Sequence, residues 1–200
     1  MINHYTDGKT VVVALEKSKP GKSCCGDVHT VLHTDEYMLC TVIDGLGSGE
    51  GARRSANIVM DAIVRYHDHP VDVIAEKGNK DLLFERGAVL TIIKIHYEKR
   101  EISYCNYGNI GFMLCLPDGK LIQPIPKRGY LSGRKSTFNI HYFPFEKDSV
   151  FCLYSDGVSS PFNKEQLLSI RELEDIIPYL NYSTEQINDD VTVLVGRITE

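Results

Sequence analysis

The sequence predicts an α+β fold, a sandwich of two antiparallel β-sheets flanked by helices, and the patterning of apolar residues carries that prediction. Much of the chain reads as short runs rich in β-branched and aromatic residues joined by tight turns, which favours antiparallel pairing. Only three segments carry apolar residues at three- and four-residue steps, and they do not alternate with the strands as a doubly wound sheet requires. Two packed sheets, with two helices on one side and a third on the other, would bury every apolar face.

Residues 9–16 (KTVVVALE) and 37–44 (YMLCTVID) open the strand series. Between 50 and 67 the period changes: Ala52, Ala56, Val59, Met60 and Ile63 form one helical stripe. A second helix is expected over 71–83, interrupted by Gly78. Strands follow at 88–97, 101–107, 110–116, 121–125, 138–143 and 149–155, with Lys99-Arg100 and Asp118-Gly119 as turns. The third helix is expected over 164–180, where Leu167, Leu168, Leu173, Ile176, Ile177 and Leu180 share one side and Pro178 kinks or ends it. Residues 191–198 form the last strand.

A chain of 200 residues with no repeat and no Pro/Gly/Ser-rich linker is expected to be a single domain, 1–200. The net charge of −5 argues against nucleic-acid binding, which calls for a clustered basic face. MINHYTDGKT lacks the charged and apolar blocks of a signal peptide, and no apolar run is long enough to cross a membrane. Cys24 and Cys25 are adjacent, while Cys40, Cys105, Cys115 and Cys152 lie in apolar runs with no Cys-x-x-Cys spacing. They read as reduced, buried thiols of a cytoplasmic protein.

Asp-Gly occurs four times. Asp7-Gly8 and Asp118-Gly119 read as turns, but Asp44-Gly45 and Asp156-Gly157 end the apolar runs LCTVID and VFCLYSD. A carboxylate at the edge of a core is costly unless paired or bound to a cation. Asp27 in CCGDVHT and Asp189-Asp190 in NDDVTVLV extend the acidic set. Oxygen ligands suit Mg²⁺ or Mn²⁺, whereas zinc or copper would favour His and Cys. For each aspartate the plain alternative is a solvated turn or helix cap. The turn 45–51 either lets backbone and a helix N-terminus approach an anion or simply joins strand to helix. His29 is expected at the surface, and Arg53 and Arg54 on a solvated helix face. Gly47 to Ala52 also fits the loose dinucleotide fingerprint, but Asp44 and Glu50 would repel a pyrophosphate and βαβ units are missing.

Asp27, VIDGLGSGEGA around Asp44, LYSDG around Asp156 and NDDVT at Asp189 stand in the order that resembles the metal-dependent serine/threonine protein phosphatases of the PPM type. The likeness spans nearly the whole chain. Within that family, the DGLGSG loop, YCNYGNIGF and GYLSG at 129–133 are most similar to the bacterial stressosome phosphatases. The resemblance implies an αββα sandwich holding two Mn²⁺ or Mg²⁺ ions. Asp44 would bridge both, Asp27 and the Gly45 carbonyl would serve one, and Asp156 with Asp189 the other, supported by Asp190 and Gly157. Metal-bound water would attack phosphorus in line, without a covalent intermediate. The implied substrates are phosphorylated STAS-domain proteins of the stressosome pathway. The chain departs from the family at Leu46, where relatives have a general-acid histidine, and at Asn109, where many have an aspartate for a third metal. The N-terminal phosphate-gripping arginine has no match. A regulator that kept the scaffold without activity would show lost ligands, and all the expected aspartates are present.

Overall fold

In a computed structural model, the structure describes residues 2–22, 24–158, 162–172, 175–183 and 187–200. The chain begins with β1 (Ile2–Thr6), β2 (Thr10–Lys17), β3 (Asp27–His33) and β4 (Tyr37–Gly45), then α1 (Glu50–Arg65) and α2 (Val71–Asp81). There follow β5 (Ala88–His96), β6 (Glu101–Tyr107), β7 (Gly111–Cys115), β8 (Leu121–Ile122), β9 (His141–Pro144) and β10 (Val150–Tyr154). α3 (Lys164–Ser169), α4 (Ile176–Ser183) and β11 (Val191–Ile198) complete the order. Among the described residues, one sheet runs β1-β2-β11-β10-β7-β8 and the other β3-β4-β5-β6-β9. Every strand pairing in them is antiparallel, so the described residues form no βαβ unit to seat a dinucleotide.

Side-chain alternation builds three apolar layers. In β2, Val12 and Ala14 enter the core between the sheets, while Val13 and Leu15 face the opposite way toward Leu167, Ile176 and Leu180. In β4, Met38, Cys40 and Val42 join the central core, while Leu39 and Ile43 pack with Val59, Ile63 and Ile74 of α1 and α2. Strands covered on both faces must be apolar at successive positions. This is why VVVAL and YMLCTVI lack polar alternation.

The α1 stripe lies where its period placed it, with Ala52, Ala56, Val59 and Ile63 buried. α2 runs through Gly78 without interruption, and a Cβ there would stand 3.1 Å from Val59 Cγ1 of α1. The glycine marks a close helix crossing. The single helix expected over 164–180 is instead α3 and α4, and Pro178 sits in the first turn of α4. Backbone N–H groups there have no intrahelical acceptor, so proline costs little. Leu173 lies outside the described residues. β1 and β3 escape the sequence pattern because INHYT and DVHTVLH carry polar residues at several positions. Asp7 and Asp118 are turn formers: Asp7 Oδ1 accepts from Thr10 N at 2.8 Å, and Asp118 Oδ1 from Lys120 N at 2.8 Å. All six cysteines are free and all but Cys24 are buried.

Candidate metal centre

Strand register brings the first two acids together. Asp27 opens β3 and Asp44 lies one residue from the end of β4, and the two are direct partners across the antiparallel pair. The other sheet supplies Asp156, just beyond β10, and Asp189, just before β11, whose strands are neighbours. All four line one cleft of about 700 Å³ at this end of the sandwich, together with Asp190. Each sheet therefore contributes two aspartates, from four separate segments of chain.

Burial and mutual repulsion dominate the electrostatics. Asp27 is 1% exposed. Desolvation pushes its pKa up to about 6, with Asp190 adding to the rise and Ser155, Asp44 and Thr192 acting against it. Desolvation first, and then the charges of Asp27 and Asp156, push Asp44 up to about 9. Asp27 Oδ2 and Thr192 Oγ1 are buried with no hydrogen bond of normal geometry among the described residues. An orphaned carboxylate oxygen facing other carboxylates is a poor arrangement for protein alone and a good one for a hard cation. The oxygen-only donor set fits magnesium or manganese.

Among the described residues, no three acidic, histidine or cysteine side chains already converge at chelating distance. Asp156 Oδ2 instead accepts from Asn109 Nδ2 at 2.7 Å, and Asp189 Oδ1 lies 3.6 Å from Lys19 Nζ. Both contacts are at the surface and cost little to exchange for another partner. Asp190 is placed differently from its neighbour. Its buried carboxylate accepts from Lys19 N at 2.8 Å and Gly26 N at 2.7 Å, tying the segment before Asp27 to the start of β11.

Two glycines permit the close approaches that shape the cleft. A Cβ on Gly45 would stand 1.9 Å from Ala52 O in α1, and one on Gly157 would stand 2.0 Å from Asp190 O. The turn after Gly45 does bring an uncapped helix start beside the acids, with Gly47 and Gly49 at positive φ. Leu46, at the family's histidine position, lines the cleft and packs against the central core.

Two expectations of solvated side chains are corrected. Arg53 turns inward, donating from Nη1 to Asp27 O at 2.5 Å and lying 3.5 Å from Glu16 Oε2. His29 is also buried: Nδ1 hydrogen-bonds Glu16 Oε1 at 2.6 Å and Nε2 meets Tyr5 OH at 2.9 Å. Both sit behind the acids, where partners distant in sequence satisfy them. Arg54 keeps its exposed position and pairs with Glu85 at 2.8 Å. Sequence reasoning missed Lys19 and Arg128; the latter directly precedes the GYLSG string and lines the cleft.

Residues 34–199 match the family model described as Stage II sporulation protein E (SpoIIE). The chain is 35% identical over 191 residues to phosphoserine phosphatase RsbX of Bacillus subtilis (strain 168), covering 96% of this chain and 95% of RsbX. It superposes on the crystal structure of RsbX in complex with magnesium with a TM-score of 0.95 at 33% identity, covering 100% of both chains. A second solved chain comes from work on the bacterial stressosome, described as a modular system adapted to control secondary messenger signaling. It shares the fold with a TM-score of 0.86 at 23% identity, covering 94% of this chain and 100% of that one.

Proposed function

The chain belongs to the SpoIIE family of PP2C-type phosphatases, and from that premise we propose that it hydrolyses phosphoserine or phosphothreonine on phosphorylated STAS-domain proteins of a stressosome. The observation that supports this most directly is the convergence of Asp27, Asp44, Asp156 and Asp189 on one cleft, with a buried oxygen of Asp27 unsatisfied.

Two divalent cations, Mg²⁺ or Mn²⁺, belong to the proposal. Asp44 would be shared between them, with Asp27 and the Gly45 carbonyl toward one and Asp156 and Asp189 toward the other. Such ions neutralise phosphoryl charge and activate water at neutral pH. The chain's own part is to hold four acids at fixed positions on rigid strand ends. Asp190 ties the β11 approach to the segment before Asp27, Gly157 keeps that approach close to the end of β10, and Arg53 fixes the backbone of Asp27. Asn109, which also lines the cleft, donates to Asp156. Six free cysteines, five of them buried, favour a cytoplasmic setting.

Phosphate release from phosphorylated STAS-domain proteins, set against unrelated phosphopeptides and p-nitrophenyl phosphate with Mn²⁺, Mg²⁺ or EDTA, tests the reading. Metal-dependent turnover that favours the STAS-domain proteins is expected. Absence of turnover with either ion would point to a binding regulator on the same scaffold.

A further inference from the structure

Part of the cleft wall is formed by the connection between β8 and β9, and hydrogen bonds anchor it at both ends. Lys127 N donates to Asn106 Oδ1 at 2.7 Å, and Lys127 O accepts from Gly108 N at 2.7 Å. Four residues on, Leu131 exchanges both backbone hydrogen bonds with Ala88 of β5, at 2.7 and 3.1 Å. Only Arg128, Gly129 and Tyr130 project between these anchors. Gly129 has φ +134, and a Cβ there would stand 2.8 Å from the Tyr107 ring, so the arch is pressed onto β6. Just before it, Ile125 is held between Pro124 and Pro126, whose φ angles are fixed by their rings.

What this anchored segment presents is unusual for a surface beside an acid cluster. Ile125 is 94% exposed and Tyr130 is 51% exposed, and both line the cleft. Arg128 is the one Lys or Arg among the described residues lining it. Five aspartates share that cleft, yet no described residue accepts a hydrogen bond from Arg128 or pairs with it. The basic side chains Arg53, Arg54 and Lys127 are all engaged elsewhere. A guanidinium lining an acid-rich cleft, with no partner among the described residues, matches phosphoryl oxygens in charge and fork geometry. Apolar side chains fixed in water beside it have no use for a small phosphate ester but match a substrate side chain next to the phosphorylated residue.

We propose that residues 125–130 form the substrate grip: Arg128 binds the phosphoryl oxygens of a phosphoserine or phosphothreonine, and Ile125 with Tyr130 covers an apolar side chain adjacent to it in the substrate protein. The grip rests on the phosphatase reading of the cleft and deepens it by naming the flanking chemistry. Steady-state kinetics of the full chain with Mn²⁺ would compare p-nitrophenyl phosphate with two phosphoserine peptides differing only in leucine or serine beside the phosphoserine. Arg128→Ala is expected to raise KM about tenfold on all three, with kcat changed less than about twofold, and Arg128→Lys to recover part of the loss. The Ile125→Ser, Tyr130→Ser double variant is expected to raise KM about fivefold on the leucine peptide alone. An unchanged KM in Arg128→Ala, or an equal loss on all three substrates in the double variant, overturns the grip.

Fluorescence anisotropy with a leucine peptide carrying a phosphonate in place of the phosphate separates the grip from the chemistry. If the wild-type chain hydrolyses none of the substrates but binds this peptide through Arg128 and Ile125, the grip stands and the phosphatase reading falls. Turnover by the wild type with equal peptide affinity in Arg128→Ala sinks the grip alone. Neither turnover nor binding by the wild type sinks both.

Discussion

Asp44 concentrates the electrostatic cost of the site, because desolvation and the charges of Asp27 and Asp156 all oppose its ionisation. A bound cation reverses that balance. Mn²⁺ at about a hundred times its Kd is expected to raise the melting temperature by roughly 5 to 11 °C relative to EDTA. In Asp44→Asn the metal-induced rise is expected to vanish and phosphatase activity to fall at least about a hundredfold, with melting in EDTA no lower than in the wild type. Calorimetry and phosphate release check both; an Asp44→Asn variant that keeps activity ends its proposed bridging role. Glu16 carries the opposite sign. Burial works to raise its pKa, but the hydrogen bond and charge of His29, with Arg53, more than offset that and hold the carboxyl below its ordinary value. A carboxyl with a lowered folded pKa stabilises above its unfolded value and loses that contribution as pH falls through the folded one. The stability gap between wild type and Glu16→Gln is therefore expected to be full near pH 6 and to close toward pH 3, as followed by urea denaturation.

At the level of elements, the site depends on how closely strand ends approach their neighbours. β4 runs so near α1 that a methyl group on Gly45 would collide with the Ala52 carbonyl, a backbone atom that cannot rotate away. Gly45→Ala is expected to cost at least about 3 kcal/mol in urea denaturation. β10 ends in a similar approach, with Gly157 against the Asp190 carbonyl. Here the neighbour is the loop before β11, so Gly157→Ala is expected to displace Asp189 as well as to destabilise. A loss of about tenfold in Mn²⁺ affinity by calorimetric titration is the expected outcome. An unchanged affinity would show that the β11 approach does not set the site.

Over the whole molecule, the central core takes side chains from both sheets, with Phe112 and Phe151 of one packed among Val42, Ile93 and Tyr104 of the other. Neither sheet can keep its inner face dry without its partner, so the chain is expected to unfold as one domain, with far-UV and near-UV circular dichroism following a single transition. Two separate transitions would divide the molecule. The sequence by itself carried the layered architecture and the α1 stripe, and it singled out acids that the fold gathers in one cleft, because period, strand composition and Asp at the ends of apolar runs are local signals. It also placed Asp44 and Asp156 at strand ends, since an apolar run stops where the core stops. Tertiary structure alone decided that Asp27 faces Asp44 across a register, that Asp190 is spent on backbone N–H groups, and that Arg53 and His29 turn inward. It alone left Arg128, beside the aspartates, with no partner among the described residues. Which way a polar side chain turns depends on partners far away in the chain, and the Gly26 and Asp190 that meet here are 164 positions apart.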